Sequence, residues 1–345
     1  MAVDVAIAGG GPAGAALAIA LGRRGVRVAL YERARHPRPK ACGEGLLPHG
    51  VAALRELAVP PEAPRVRGLR FVVDGTSIEA DFPGGQHGLI VRRDRFDAWL
   101  FGLAASTSNV DARDGTAYRR EGARLEVGAD GRRSRFHRRL RPAVPTPRRV
   151  GLSAHVGGIE GLRDRVEVFF HPDGELYLAP AGEGEALVSV LQYGDRFRRD
   201  GLTHLLTAIP ELRARASRIE LTTPVLAAAP LSLRLSRVVD DDLLLIGDAA
   251  GAPDPITGEG IALALTSVGP AADATVSGHL QRYERWRLAR GRTADRLGRV
   301  LLRLARTDRR VARRLLQRPA LAPVLLDVAT GRRPLTAATL VRALC

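Results

Sequence analysis

The sequence is poor in cysteine and in aromatic residues. Two of its 345 residues are cysteines, Cys42 and Cys345, and aromatic residues make up 4% of the chain. Two cysteines cannot form a disulfide framework, which favours a reducing compartment. So few aromatic side chains offer no platform on which nucleic-acid bases would stack. The chain also lacks a secretory start and any apolar run of the roughly 20 residues that cross a bilayer, so we expect a cytoplasmic protein without a nucleic-acid partner.

Lysine and asparagine are nearly absent, whereas arginine is abundant. Lysine and arginine together number 53 against 37 acidic residues, and Lys40 is the single lysine. Much of the surplus lies near the C-terminus, where the segment from Arg282 to Arg333 holds sixteen arginines and four acidic residues. Because every other basic position of the Lys/Arg type holds arginine, the lysine at position 40 indicates that this position requires an ammonium group and not a guanidinium group.

A glycine loop near the N-terminus is typical of dinucleotide binding. An apolar strand is predicted from Val3 to Ala8, and Gly9-x-Gly11-x-x-Gly14 follows it and opens a helix. The first glycine forms the tight turn, the second lets the backbone approach a pyrophosphate, and the third allows close packing of the helix on the strand. The next predicted strand leads to Glu32, whose carboxylate is placed to accept hydrogen bonds from an adenosine ribose.

Further motifs follow in a fixed order along the chain. They are Arg93-x-x-Phe96-Asp97, an Asp130-Gly131 pair after an apolar segment, Gly247-Asp248 after an apolar strand, and the loop Pro255-Ile-Thr-Gly258-Glu259-Gly260-Ile261. The last two segments resemble the second flavin motif of FAD enzymes, in which the acidic residue at the strand end binds the ribityl chain and the loop offers N–H groups to the negative charge of the reduced flavin.

Taken together, the motifs resemble those of the para-hydroxybenzoate hydroxylase-fold flavoproteins. The segment from Lys40 to Gly45 is similar to the Lys-Pro-Cys-Gly-Gly segment of the geranylgeranyl reductase-like branch. The resemblance runs from Val3 to about Arg290. It implies an α/β fold with a Rossmann-like FAD-binding domain of the glutathione reductase type, an inserted antiparallel β-sheet substrate domain and C-terminal helices. It also implies one FAD, reduced by NADPH or NADH.

The resemblance assigns roles to individual residues. The residues expected to bind the cofactor are Gly9, Gly11, Pro12, Ala13, Gly14, Glu32, Arg33, Lys40, Cys42, Arg93, Asp130, Gly247, Asp248, Pro255, Gly258, Glu259, Gly260 and Ile261. Cys42 and Glu44 are the candidate catalytic residues. For Cys42 the alternatives are a proton donor beside the flavin and a small buried apolar residue. For Glu44 they are a carboxylate in the pocket and a solvated turn residue.

The domains are predicted to be discontinuous in sequence. Residues 1–65, 90–149 and 237–292 are assigned to the FAD-binding domain, and residues 66–89 and 150–236 to a β-rich substrate domain. Residues 293–345 form a C-terminal helical segment. Within the first domain, residues 110–127 are predicted to form a hairpin.

Three functions remain open at the level of the sequence. An NAD(P)H-dependent monooxygenase that hydroxylates an apolar or phenolic molecule through a flavin C4a-hydroperoxide is preferred, within secondary metabolism. The reason is that Tyr177-Leu-Ala-Pro180 lacks the Trp and Phe of the reductases' substrate motif Tyr-x-Trp-x-Phe-Pro. The alternatives are a reductase that saturates an isoprenoid or polyene double bond, and a non-catalytic flavin-binding protein.

The basic C-terminal segment carries an apolar face. Its members, at helical spacing, are Leu297, Leu301, Leu304, Val311 and Leu315. A helix packed on the FAD domain with a solvated arginine face is the first interpretation, and contact with a membrane surface or an acidic carrier protein the other two. The eight histidines show no metal-ligand spacing, so no metal is expected. Four of them are predicted at the surface or at the rim of a pocket: His36, His49, His87 and His155.

Overall fold

The structure is a computed structural model that describes residues 3–140, 142–144, 148–216, 218–336 and 338–339. Strands in these ranges, numbered in chain order, are β1 Val5–Ala8, β2 Val28–Tyr31, β3 Gly45–Leu46, β4 Arg65–Val66, β5 Gly68–Val73, β6 Thr76–Asp81, β7 Gly88–Ile90, β8 Val110–Arg113, β9 Leu125–Gly128, β10 Pro142–Val144, β11 Arg149–Gly157, β12 Arg165–His171, β13 Gly174–Gly182, β14 Glu185–Tyr193, β15 Glu220–Leu221, β16 Leu226–Ala228, β17 Arg234–Leu235, β18 Val239–Asp240 and β19 Leu243–Leu245.

Helices in the same ranges are α1 Pro12–Gly22, α2 Pro48–Leu57, α3 Arg93–Ala105, α4 His137–Leu140, α5 Gly201–Ala208, α6 Pro210–Arg215, α7 Gly260–Thr266, α8 Val268–Ser277, α9 Leu280–Ala305, α10 Arg309–Leu316 and α11 Leu321–Ala329. Short 3-10 turns lie at Pro83–Gly85, Gly194–Arg196, Gly247–Ala250 and Pro255–Thr257. None of the helices in the described ranges is long and apolar enough to cross a membrane.

The first sheet carries the dinucleotide-binding motifs. Its strand order is β18-β19-β9-β1-β2-β8, and the five strands from β19 to β8 are parallel. The strand β1 reads Val-Ala-Ile-Ala and is buried on both faces, as a parallel strand between helices requires. The predicted hairpin at 110–127 is wrong, because β8 pairs with β2 at the edge and β9 pairs with β1. The strands β8 and β9 thus lie on opposite sides of the β1–β2 pair, whereas the two strands of a hairpin are antiparallel neighbours.

The second sheet has the order β15-β11-β14-β13-β12-β5-β6, with β16 also paired to β11. Its strands alternate between two faces, as the pleat dictates. Along β12, Phe169 packs on one side in a core with α5 and α6, whereas Val168 and Phe170 point to the other side, toward a cavity. The predicted α/β fold class, with a Rossmann-like sheet and an inserted mostly antiparallel sheet, is confirmed.

The C-terminal helices do not form one continuous amphipathic rod. The helix α9 runs through the predicted boundary at 293 and ends at Ala305, and Asp308 caps α10 by accepting hydrogen bonds from the Arg310 and Val311 amides. Leu297, Leu301, Leu304 and Leu315 pack with α11, as the spacing predicts. Val311 does not, because the break turns its side chain outward, where it is 43% exposed.

Candidate functional site

A large cleft lies between the two sheets and reaches the C-terminal helices. It occupies about 2020 Å³ with its opening to solvent. One part is lined by the glycine loop, the loop from Lys40 to Gly45, and the segments around Gly247 and Gly258. The remainder is lined by apolar side chains of the second sheet and of α9 and α11. The structure therefore places the sequence motifs at one end of a cavity whose other end is apolar.

The glycine loop has the shape that a dinucleotide requires. Gly9 has a φ of +109°, and a Cβ on it would stand 2.4 Å from the carbonyl oxygen of Ala129. A Cβ on Gly14 would stand 1.9 Å from the carbonyl oxygen of Gly9. At Gly11, by contrast, a Cβ would meet only the end of Arg38, at 3.9 Å. The backbone is thus packed tightly behind the loop and open in front of it, at the N-terminus of α1, which is where a pyrophosphate group binds.

Glu32 lies against this loop. One of its carboxylate oxygens accepts hydrogen bonds from the Gly10 amide and from Arg38 Nη2, both at 3.0 Å, and the other accepts one from the Ala34 amide at 3.0 Å. The carboxylate is therefore fixed at the end of β2, next to the space in front of Gly11, where it can hold an adenosine ribose. Arg33 points to solvent and does not line the cleft.

Arg38 is a functional candidate that the motifs did not indicate. Its guanidinium pairs with Glu32 and reaches the open side of Gly11, so it can neutralise a phosphate charge. The available signal was a cation a few residues beyond the acidic residue at the end of the second strand. Because arginine is so abundant in this chain, that signal was not distinctive.

The Gly247-Asp248 segment enters the cleft opposite the glycine loop. Gly247 has a φ of +62°, and a Cβ on it would stand 2.7 Å from Cβ of Ala13. The Asp248 carboxylate lines the cleft and lies 3.5 Å from Nη1 of Arg132, another cleft residue that the sequence analysis did not assign. Asp130 itself is exposed, and its carboxylate accepts a hydrogen bond from the Arg135 amide at 3.0 Å.

The loop before α7 presents backbone to the cleft. Pro255, Gly258, Gly260 and Ile261 line it, and a Cβ on Gly258 or Gly260 would meet no atom within 4 Å. Glu259 points the other way, toward Arg290 of α9 at 3.7 Å, and burial raises the pKa of its carboxyl to about 7 against the opposing effect of Arg290. This loop contributes its backbone to the site, and its one carboxylate does not line the cleft.

Cys42 and Glu44 meet Arg93 where the two sheets adjoin. The Cys42 amide donates to Ser153 Oγ at 3.2 Å, and the Glu44 amide donates to Cys42 Sγ at 3.3 Å. Burial opposes the charge of Arg93, but Asp97 and the Cys42 thiol outweigh it and raise the pKa of Arg93. The cation beside the thiol is therefore an arginine of α3, in a position fixed by a bidentate pair with Asp97 at 2.8 Å.

Glu44 is a buried pocket residue and not a solvated turn residue. It is 4% exposed and adopts a φ of +53°, which is unusual for a residue with a side chain. Its carboxylate accepts the Arg93 amide at 2.9 Å and lies 2.9 Å from Nε2 of His155. The predicted rim position of His155 is wrong, because this histidine is 8% exposed and paired with Glu44.

Lys40 lies on the cleft wall next to Gly131, with its Nζ 3.9 Å from the position of a Cβ on that glycine. Burial lowers the pKa of its ammonium group, and the charge of Arg93 lowers it further, whereas Asp248 raises it. Lys40 thus stands between the Asp130-Gly131 turn and the Gly247-Asp248 segment, and can contact a cofactor that both of them touch.

A buried ion cluster ties the second sheet to the loop before α7. Arg149 of β11 is 1% exposed, and its guanidinium donates to Asp254 at 2.6 Å and to Glu175 of β13. Asp254 also accepts the Ile256 amide at 3.1 Å. The cluster was not predictable, because its members are far apart in sequence and none belongs to a motif. It fixes the cofactor side of the cleft relative to the apolar side.

The apolar end of the cleft has one polar group that stands alone. The side chains there include Leu69, Phe71 and Leu187 from the sheet and Leu301 and Leu325 from the helices. Tyr177, also on this wall, has a buried hydroxyl without a hydrogen-bond partner among the described residues. Burial raises the pKa of this phenol well above its usual value. The cleft suits a long apolar molecule with at most a few polar atoms.

Comparison with known proteins agrees with this site. A family model described as an FAD binding domain matches residues 2–64. Menaquinone reductase of Mycobacterium tuberculosis is 30% identical over 86% of this chain and 81% of that protein. Digeranylgeranylglycerophospholipid reductase 2 of Methanopyrus kandleri is 27% identical over 85% of this chain and 84% of that protein.

A solved structure shows the same fold. The geranylgeranyl bacteriochlorophyll reductase-like protein of Thermoplasma acidophilum superposes with a TM-score of 0.80, over 99% of this chain and 95% of that chain, at 22% identity. The shape of the glycine loop, the fixed Glu32 carboxylate and the open backbone at Gly258 and Gly260 fit FAD as the cofactor. The chain belongs to the FAD-dependent oxidoreductases of the para-hydroxybenzoate hydroxylase fold, in their geranylgeranyl reductase-like branch.

Proposed function

We propose that the protein is a reductase that saturates a carbon–carbon double bond in an isoprenoid or polyene chain. The observation that carries the proposal is the position of Cys42, on the cleft wall among the cofactor-binding loops and hydrogen-bonded through its amide to Ser153 of the second sheet. The names of the relatives give support, since menaquinone and digeranylgeranylglycerophospholipid both carry isoprenoid chains. We therefore favour the reductase over the monooxygenase that the sequence motifs suggested.

Reduction of a double bond requires a hydride and a proton on adjacent carbons. FAD, when bound and reduced, supplies the hydride. Cys42 Sγ holds the proton and gives it to the neighbouring carbon, and the thiolate that remains lies beside the Arg93 guanidinium. Glu44 orients the loop, because its amide donates to Sγ and its carboxylate is held by the Arg93 amide and His155. The apolar wall excludes water, which would otherwise exchange protons with Cys42 and weaken the electrostatic interactions within the site.

The electrons are proposed to come from NADPH or NADH. The support is the Asp130-Gly131 turn, since Gly131 and the preceding Ala129 line the cleft, whereas Asp130 is exposed and does not. Mixing the FAD-loaded protein with each nicotinamide in the absence of oxygen and following the loss of flavin absorbance tests this part of the proposal. If neither NADPH nor NADH bleaches the flavin, the nicotinamide part of the proposal is wrong, whereas the proposed reduction of a double bond is not affected.

Replacement of Cys42 by alanine tests the proton donor. We expect Cys42→Ala to keep its FAD but to lose at least about 100-fold in double-bond reduction, within the range that a positioned acid contributes. The matched control is Cys345→Ala, which removes the chain's other thiol by the same change. Turnover by Cys42→Ala equal to that of the control, with the same FAD content, would remove Cys42 from the mechanism.

A second candidate function is hydroxylation of an apolar or phenolic molecule. It is favoured by Tyr177, whose hydroxyl has no partner among the described residues and is placed to orient a substrate hydroxyl in the cleft. It is also favoured by the absence of the Trp and Phe of the reductases' substrate motif from the sequence. Oxygen-dependent product formation by the FAD-loaded protein supports this candidate. The third candidate, a non-catalytic flavin-binding protein, requires that neither product forms with FAD bound.

A further inference from the structure

The outer face of α9 carries a row of arginines. The exposed arginines of this helix, here called the arginine stripe, are Arg282, Arg285, Arg292, Arg296, Arg299 and Arg303. They recur at intervals of three or four residues, with the exposed Ala289 in the remaining position, so they lie on one face of the helix. At 1.5 Å per residue the stripe is about 32 Å long.

Among the described residues, no acidic side chain neutralises the arginine stripe at contact distance. None of its six members forms an ion pair within 4.0 Å in the described part of the chain, although such pairs are common elsewhere in the molecule. The two acidic residues of α9 face other partners, because Glu284 accepts the Val238 amide at 2.9 Å and Asp295 pairs with Arg234 at 2.7 Å. Asp295 also feels the charge of Arg299, but at a distance beyond an ion pair. A preference for arginine over lysine across the chain explains the residue type, but it does not explain six neighbouring cations without a close ion pair among the described residues.

The other arginines of the helix show what a structural role requires. Arg287 is 2% exposed and donates to the carbonyl oxygen of Gly251, and Arg290 faces Glu259. Both point inward to the loops of the cofactor site. The arginine stripe points outward and makes no such contact with the described residues. Repulsion between its charges therefore destabilises the folded protein, and no contact within the described part of the molecule offsets it.

The charged surface continues beyond α9. In α10, Arg310 and Arg314 are exposed and without ion pairs in the described residues, and Val311 stands between them with 43% of its surface exposed. Arg309 of the same helix is instead paired with Asp74. The positive face therefore extends over two successive helices.

We propose that the arginine stripe is a docking surface for a lipid bilayer that contains anionic lipids. A uniform row of cations without a pocket or an aromatic anchor matches a flat anionic surface, whereas interfaces with proteins are anchored by buried aromatic and apolar residues. Nucleic acid is less suited, because the one exposed large aromatic residue in the described ranges, Phe197, lies outside α9 and α10. Because the stripe has no apolar members, the contact is electrostatic adsorption and not insertion.

The same helix connects this surface to the cleft. Leu301 lies on the inner side of α9 and lines the apolar end, as do Leu325 and Leu326 of α11. A helix is about 10 Å thick with its side chains, so a bilayer at the stripe would lie about one helix diameter from the apolar wall. The docking proposal does not depend on which reaction occurs at the flavin, and the two can fail separately.

Sedimentation with vesicles tests the proposal on the FAD-loaded full chain. We expect binding to phosphatidylcholine vesicles that contain about one third phosphatidylglycerol, no binding to pure phosphatidylcholine, and release when the salt rises from about 0.05 M to about 0.5 M. The variant Arg292→Glu/Arg296→Glu/Arg299→Glu is expected to lose about 100-fold or more in partitioning, at roughly fivefold per arginine removed.

The matched control is Arg199→Glu/Arg213→Glu/Arg218→Glu. It changes the net charge equally at three exposed arginines outside the C-terminal helices, and we expect its partitioning to fall less than about fivefold. FAD content and melting temperature show that both variants fold. Equal losses in the two triple variants, or binding to pure phosphatidylcholine, would overturn the proposal. So would retention of a single-stranded oligonucleotide in preference to anionic vesicles, which would assign the stripe to nucleic acid.

Discussion

At the scale of single residues, Glu44 shows how the candidate catalytic loop is held. The residue adopts a left-handed backbone conformation that glycine would tolerate better, which costs on the order of 1 kcal/mol. The hydrogen bond from the Arg93 amide to one carboxylate oxygen and the contact of His155 with the other offset this strain. Cys42 is two residues away and is hydrogen-bonded to the Glu44 amide, so the position of the thiol depends on a carboxylate that does not itself need to react.

Removal of the histidine partner of Glu44 is expected to destabilise the protein. In His155→Leu the buried Glu44 carboxylate loses its Nε2 contact, and we expect the free energy of unfolding to fall by about 2 to 3 kcal/mol. Urea denaturation measures the change. The control His87→Leu, at an exposed histidine, is expected to stay within about 0.5 kcal/mol. Equal stability of the two variants would show that the Glu44–His155 contact contributes nothing.

Two residues near Arg290 give the stability opposite responses to pH. Burial raises the pKa of Glu259 to about 7, and burial together with Arg290 lowers the pKa of His49 to about 4. Glu259 keeps its proton in the folded protein after the unfolded chain has lost it, so its contribution falls as the pH rises from 4.5 to 7. His49 stays neutral where the unfolded chain is protonated, so its contribution rises as the pH rises from 4 to 6.5.

Single variants separate the two responses. Between about pH 4.5 and 6.5, Glu259→Gln is expected to gain stability with rising pH and His49→Gln to lose it. Each slope has an upper limit of about 1.4 kcal/mol per pH unit, and in the unmodified protein the two oppose each other. Unfolding in urea at four or five pH values gives the slopes. Parallel curves for both variants would contradict the assignment of these buried groups.

At the scale of elements, the glycines in the turn from β1 into α1 have two roles. Gly9 and Gly14 allow close packing behind the loop, and Gly11 leaves space in front of it. Gly11 has a φ of −73°, and a Cβ there meets nothing closer than 3.9 Å, so Gly11→Ala is expected to fold normally. Its methyl group would occupy the space in front of the loop, and we expect FAD affinity to fall by about tenfold or more. Fluorescence titration with FAD measures this, with Gly102→Ala as the control on the exposed side of α3. Unchanged affinity in Gly11→Ala would place the pyrophosphate elsewhere.

The elements also show which parts of the molecule the sequence could reveal. The turn at Gly9 to Gly14 and the strand before Gly247 were predictable, because strand, turn and helix are adjacent in the chain and each glycine has a local steric reason. The pairing of β8 with β2 was not, because strand order depends on contacts between distant segments. Likewise, the apolar spacing of the C-terminal helices was visible, whereas the break before Asp308 that exposes Val311 was not.

The same distinction holds within the site. Cys42, Asp248 and the pair of Arg93 and Asp97 were found through motifs. The contact of Cys42 with Arg93 and that of Asp248 with Arg132 came only from the structure. His155 is 111 residues from Glu44, and Arg149 is 105 residues from Asp254. A single sequence without an alignment holds no signal that joins such pairs, and a buried histidine in a strand looks the same as an exposed one.

At the scale of the whole molecule, the cleft is built by three parts of the chain at once. The first sheet supplies the cofactor loops, the second sheet supplies an apolar face, and α9 and α11 close the apolar end. Arg149 and Asp254 fix the first two parts to each other, and α9 contacts both the loop before α7 and the cleft. We propose that this arrangement brings a long apolar substrate to FAD for reduction of a double bond.

The mass of the lipid product distinguishes the candidate reactions. The FAD-loaded protein would be reduced chemically and mixed with a geranylgeranyl lipid that carries no quinone, once under argon and once in air, and the lipid would be analysed by mass spectrometry. We predict a product heavier by two hydrogen atoms, formed under argon and absent without FAD. A product heavier by one oxygen atom, formed only in air, would contradict this prediction and establish the hydroxylase.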